Sequence, residues 1–335
     1  MIDLRSDTVT KPDDRMRAAM AAAEVGDDVL DHDPTMAKLE ETVAELLGVE
    51  AALWVPSGSM GNVIALMLHV KRGDRFLAPA ASHVISSELG AGAWLAEGMP
   101  DPLPWDGGPG RPTPETLRSA IGGPQPYFNL KTTLLCLENT HNAAGGTVTP
   151  PDEYARLVAV AKEAGLTVHL DGARIWNASV ALGIPPAALT VGADTVQVCL
   201  SKGLGAPVGS MVAGSAAFVT EARRVRKMLG GGVRQGGVLA AAGLVALENI
   251  DSLAQDHANA RALAAGAGLT ELGWDAAEPQ TNIVVAGVPD VDLALTQLRQ
   301  AGVLGYPLPG HVRFVAHRDV SADDITEVLR RLEKE

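Results

Sequence analysis

The feature that most restricts the fold is an alternation of short apolar runs with helical segments. AALWV (51–55), TTLLCLE (132–138), LTVHLD (166–171), TVQVCLS (195–201) and VGSMVAG (208–214) each have strand length. Helical text lies between and behind them. DPTMAKLEETVAELLG begins with a capping Asp33 and Pro34, carries Leu39, Val43, Leu46 and Leu47 at helical spacing, and stops at Gly48. DEYARLVAVAKEAG follows Pro151, and AAFVTEARRVRKML follows VGSMVAG. Strands that are apolar throughout and separated by helices predict an α/β protein, a mostly parallel sheet covered on both faces in three α/β/α layers.

After LAAAGLVALENI the pattern changes to TNIVVAG, VDLALTQLRQAG, HVRFVAH and a final helix, SADDITEVLRRLEKE. This predicts a large domain over residues 1–248 and a small α+β domain over 249–335. The stretch 97–114, rich in Pro and Gly, reads as an exposed loop. Against 27 basic residues stand 40 acidic ones, a net charge of −13 without a run of one sign, which argues against nucleic acid or an anionic membrane as partner. No apolar run reaches the roughly 18 residues of a membrane span, and MIDLRSDTVT lacks the marks of a signal peptide, so cytoplasm is the default expectation. Cys136 and Cys199 sit in apolar strand-like runs and read as buried thiols, with neither disulfide nor metal assigned.

Three features fall at the ends of expected strands, where open α/β sheets bind ligands. The turn Pro56-Ser57-Gly58-Ser59-Met60-Gly61 joins a strand to a helix, so its N–H groups and the Ser59 hydroxyl suit a phosphate, although a plain structural turn reads the same way. Asp171 ends the strand LTVHLD ahead of Gly172 and Ala173, either as a functional carboxylate or as the cap of the next helix. Lys202 follows TVQVCLS and precedes a glycine turn, either as a functional amine or as a solvated side chain. Together the last two are more specific than either alone. Their spacing of 31 residues holds one helix and one strand and returns both to the same sheet edge. Pyridoxal phosphate requires this set: a phosphate cradle, a carboxylate that keeps the pyridine nitrogen protonated, and a lysine to form the Schiff base. A nicotinamide site would want GxGxxG early in a βαβ unit and a P-loop GxxxxGK[ST]; neither occurs there.

MIDLRSDTVTKP, the GDD from Gly26, the Gly58 turn, LENTHN, HLDGARIWNA, CLSKGLGAPVGS and KMLGGGVRQ resemble blocks of the low-specificity L-threonine aldolases. The resemblance runs through most of the large domain and continues weakly to VRFVAH. It implies the aspartate-aminotransferase fold type, with a seven-stranded sheet, and a homodimer or homotetramer whose sites are shared between subunits. By motif, Lys202 would bond pyridoxal 5'-phosphate, Asp171 would pair with its ring nitrogen, and His83 would stack on the ring and serve as a candidate base. Gly58, Ser59 and Met60 would contact the phosphate. Ser6, Arg174 and Arg313 would hold a substrate carboxylate, a task suited to the planar guanidinium fork, with Arg174 also near the cofactor's 3′ oxygen. Arg234, after three glycines, would reach the neighbouring subunit's phosphate, and Glu88 with Glu138 to Asn142 would support the ring.

Two positions depart from the family pattern: Tyr127 stands where many relatives have a histidine, and Ser87 where they tend to have an aromatic residue. Both implicate the pocket for the β-substituent, with Tyr127 a substrate-side candidate. The implied reaction is cleavage of L-threonine, L-allo-threonine and related β-hydroxy amino acids between Cα and Cβ, giving glycine and an aldehyde. Its rivals are β-elimination, racemisation or transamination on the same scaffold, and a noncatalytic cofactor-binding protein.

Overall fold

The computed structural model describes residues 1–123 and 126–333; Gln125 of the QPYFN loop and the last two residues of the final expected helix lie outside them. Seven strands form the main sheet in the order Ala51–Val55, Ser210–Gly214, Thr195–Cys199, Thr167–Gly172, Thr132–Glu138, Arg75–Pro79, Met99–Leu103. Ser210–Gly214 is antiparallel to both of its neighbours, and every other pairing is parallel. The central strands are buried along almost their whole length, which is why they read as unbroken apolar runs.

The helix Pro34–Leu47 begins and ends as its sequence dictates. Asp33 accepts from Met36 N, Pro34 opens the first turn, and Gly48 closes the last in the left-handed region at φ 64°. The helix before the first parallel crossover, Gly58–His69, starts one turn earlier than its apolar run NVIALMLHV suggests, because Ser57 caps it through Met60 N. A Cβ on Gly58 would lie 2.9 Å from Cys199 Sγ, so this helix start can press against the strand Thr195–Cys199 only as glycine.

One expectation is corrected. The 97–114 stretch contains the strand Met99–Leu103, which pairs in parallel with Arg75–Pro79 and buries Leu103. Met99 N–H donates to Asp74 O, so the alternate positions aim outward, and there Pro100 and Pro102 have no donor to leave unpaired. Prolines that argue against a central strand suit this one, the sheet edge.

The C-terminal residues form a separate antiparallel sheet in the order Tyr306–Leu308, His311–Val315, Ile283–Gly287, Asp275–Ala276. Its core also takes in Leu4, and Ile2–Asp3 pairs with Val303–Leu304. The chain's first residues, expected with the large domain, therefore run along the C-terminal sheet before crossing to the main one. Among the described residues no single helix is long and apolar enough to cross a membrane.

Asp33 does more than cap a helix. Fully buried, it also accepts from Gly26 N at 3.1 Å and Gly237 N at 2.9 Å, tying three segments together. Asp33→Ala is expected to lower unfolding free energy by about 2–4 kcal/mol, from one lost cap and two stranded buried donors. Urea unfolding of the two proteins at equal concentration measures this, and an unchanged midpoint would contradict it.

Candidate active site

Parallel register builds the site. Glu138 pairs with Asp171, and Asp171 with Gln197, so three neighbouring strands end side by side at their carboxyl ends. Beyond them lies a cavity of about 350 Å³ lined by Ser57, Gly58 and Ser59 at one side, Asp171 and His83 at another, and Lys202. Asp171 and Lys202, 31 residues apart in the sequence, thus line one cavity at this sheet edge.

Asp171, 2% exposed, accepts from Asn62 Nδ2 at 2.8 Å and from Ala173 N at 3.1 Å. The second contact closes a local turn ahead of the helix Ile175–Leu182, whose N-cap Arg174 has no side-chain cap bond, so Asp171 is not that helix's cap and keeps carboxylate lone pairs for a ligand. Ser57 Oγ takes Met60 N and Ser57 O takes Gly61 N, whereas first-turn N–H groups at Gly58 and Ser59 lack helical partners. An anion at this helix end would meet Gly58 and Ser59, and Met60 instead packs its sulfur toward Gly231.

His83 is braced twice. Its backbone N–H donates to Glu138 Oε2 at 2.7 Å, and its Nδ1 pairs with Glu88 Oε1 at 2.8 Å. The Glu88 hydrogen bond, outweighing burial and helped by Asp171, raises the imidazole pKa above its ordinary value. Burial, partly opposed by His83 and Asn62, raises that of Glu88 as well. The two groups titrate as a pair. His83, Glu88 and Asp171 offer atoms within 4.8 Å of one another, close enough for a metal, but the Asn62 amide already donates to both carboxylates.

Arg174, 5% exposed, gives its fork to Asp7 through Nε (2.8 Å) and Nη2 (2.7 Å), and its Nη1 reaches Asn142 Oδ1 at 3.1 Å. Burial pushes the Asp7 carboxyl up, but Arg174, aided by Lys202 and Asn282, takes it well below the usual carboxylate range. Arg313 comes from the C-terminal sheet and donates to the same Asn142 Oδ1 at 3.1 Å, with its Nε buried and unpartnered. Two guanidinium groups therefore converge on one amide oxygen, and burial followed by Arg174 lowers the Arg313 pKa. Arg313 Nη2 donates to Arg5 O at 3.2 Å, and neither Arg174 nor Arg313 is among the residues that line the cavity.

Several candidates stand apart. Ser6 caps the short helix Asp7–Val9, accepting from Thr8 N, and Thr8 rather than Ser6 lines the cavity. Arg234 is exposed, with its carbonyl held by Asp28 N, and Tyr127 is 99% exposed on a loop beside Phe128. Ser87 is exposed at the end of the His83 helix. Sequence reasoning missed Asp7 and Asn62. The available signals were a charge followed by threonines in RSDTVT and a lone amide opening an apolar helix run.

Residues 3–290 match the family model described as beta-eliminating lyase, and a carboxylate and lysine at one strand edge fit that class. The chain is 44% identical to a probable low-specificity L-threonine aldolase 2 of Arabidopsis thaliana, over 99% of this chain and 96% of the relative. It is 40% identical to the low specificity L-threonine aldolase of Escherichia coli K12, over 98% and 97%. The chain belongs to the low-specificity L-threonine aldolase family. Two solved structures show the same fold at 20% identity. A Leishmania major threonine aldolase has a TM-score of 0.85, with 100% of this chain and 99% of that one covered. A serine palmitoyltransferase from Sphingomonas wittichii has 0.77, with 99% and 86% covered.

The Glu88 contact makes a titration prediction. In Glu88→Gln the largest influence holding the His83 pKa up is removed while burial still lowers it, so the imidazole should lose its proton at lower pH than in the wild type. NMR of the His83 ring proton across the titration reads this, and coincident curves would refute the coupling.

Proposed function

We propose that this chain is a pyridoxal-phosphate-dependent aldehyde-lyase that cleaves L-threonine, L-allo-threonine and related β-hydroxy amino acids to glycine and an aldehyde. The observation that carries the reading is the joint lining of one cavity by Asp171, Lys202, His83 and the first turn of the helix Gly58–His69. Those groups fit the cofactor's poles. Lys202 would hold its aldehyde carbon, Asp171 its ring nitrogen, and Gly58 and Ser59 its phosphate. When bound, the cofactor supplies a sink for the electron pair left at Cα as the Cα–Cβ bond breaks.

This chain's own groups do the rest. Arg313, with the Nη1 edge of Arg174, holds the substrate carboxylate and so fixes which Cα bond is strained for cleavage. Arg174 acts mainly through Asp7, its fork being committed there. His83, oriented by Glu88 and Glu138, takes the β-hydroxyl proton; its raised pKa makes the free imidazole a stronger base. Tyr127 and Arg234, exposed and away from their own chain's cavity, act across a homodimer or homotetramer contact, Arg234 on the neighbour's phosphate.

One experiment tests the activity and the sharing. The wild type should convert L-threonine to acetaldehyde and glycine in equal amounts, and Lys202→Ala and Arg234→Ala should each be inactive. Mixed under subunit exchange, these two should recover up to about a quarter of wild-type activity, since each hybrid dimer has one intact site. Formation of 2-oxobutanoate and ammonia instead would mark elimination, and hybrids without activity would place Arg234 within its own chain's work.

A further inference from the structure

Behind the cavity a line of buried polar groups leads away from Asp171. Asn62 Nδ2 donates to Asp171 Oδ2 and to Glu88 Oε1, both at 2.8 Å, using both amide hydrogens. Asn62 Oδ1 lies 3.0 Å from His169 Nε2, and His169 Nδ1 lies 2.9 Å from Thr195 Oγ1. Thr195 Oγ1 in turn lies 3.1 Å from Nε2 of His69, the half-buried last residue of the Asn62 helix, whose ring stacks on Phe218. Asn62 and Thr195 are 1% exposed and His169 is fully buried. Such groups are retained in an apolar interior only when every member is satisfied.

The direction of each hydrogen along this line is forced. Ionised carboxylates only accept, so Asn62 must turn its NH₂ toward them and its oxygen toward His169, which therefore carries its proton on Nε2. Burial, only partly offset by Asp171, pushes the His169 pKa down to about 4, so the ring is neutral and Nδ1 is a bare acceptor. The Thr195 hydroxyl must donate to it, and accepts in turn from His69 Nε2. Every donor thus points toward Asp171, and aligned hydrogen bonds polarise one another in the same sense.

The aim of Asp171 depends on this line, because the Asn62 amide that holds its Oδ2 is shared with Glu88 and is itself held by His169. We propose that Asn62, His169 and Thr195 are positioning residues that hold the Asp171 carboxylate aimed into the cavity, so that a proton shared with a pyridine nitrogen rests on the ring. The inference rests on the cofactor reading above and deepens it.

The test uses the whole protein loaded with ¹⁵N-ring-labelled pyridoxal phosphate and reads the ring-nitrogen resonance together with kcat and KM. Wild type and Asp171→Ala come first. A protonated ring in the former and an unprotonated one in the latter is what the cofactor reading requires, and absence of that contrast would overturn that reading rather than the relay alone. Asn62→Leu should then move the resonance toward its unprotonated position and lower kcat roughly 10- to 100-fold, with KM changed less than about threefold. Thr195→Val, near-isosteric and outside the cavity lining, should shift it the same way by less, and Thr195→Ser should restore the wild-type signal. Should Asn62→Leu fail to fold, the Thr195 pair decides alone. A wild-type resonance in Thr195→Val, or Thr195→Ser as impaired as Thr195→Val, overturns the proposal.

Discussion

Because the strands Thr132–Glu138, Thr167–Gly172 and Thr195–Cys199 run parallel and in register, Glu138, Asp171 and Gln197 leave the sheet at one level. The surroundings of the cavity are attached to that edge. Glu138 holds the backbone of His83 and Asn142, and Asp171 holds Asn62. A slip of one residue would turn each of these side chains to the other face of its strand. The continuous burial of the strands, with helices on both sides, is what fixes the register.

A second set of contacts brings the C-terminal sheet to this edge. Asp7, fully buried, receives the Arg174 fork and Asn282 Nδ2, while Asn142 receives Arg174 and Arg313. Five residues far apart in the chain thus meet around one ion pair and two amides. A buried pair of this kind is weak evidence for stability, since desolvation offsets much of the attraction, but removing one partner leaves a stranded charge. Its consequence is geometric: Arg313 is tied through Asn142 to Arg174 and through Arg174 to Asp7.

The sequence made the main sheet legible where strands are buried on both faces, as in TTLLCLE and TVQVCLS, and hid it where a strand lies at the edge. MPDPL looks like a loop because its prolines are tolerated only where no neighbour needs their donors. Asp171 and Lys202 were legible because each is a charge that ends an apolar run. Asp7 and Asn62 were not, since their partners lie 167 and 109 residues away and a polar residue near a helix start has many local explanations. Tyr127 and Arg234 drew attention through family resemblance, and both are exposed in the single chain.

One cavity, bounded by Asp171, Lys202 and the Gly58 helix start, is proposed to receive the cofactor and a small amino acid in a single orientation. A crystal structure of the protein with pyridoxal phosphate and glycine measures this most directly. The expected result is the ring nitrogen against Asp171, the phosphate at the N–H groups of Gly58 and Ser59, and the glycine carboxylate on Arg313 beside Arg174. A cofactor lying with its phosphate toward Asp171, or bound elsewhere on the chain, would contradict it.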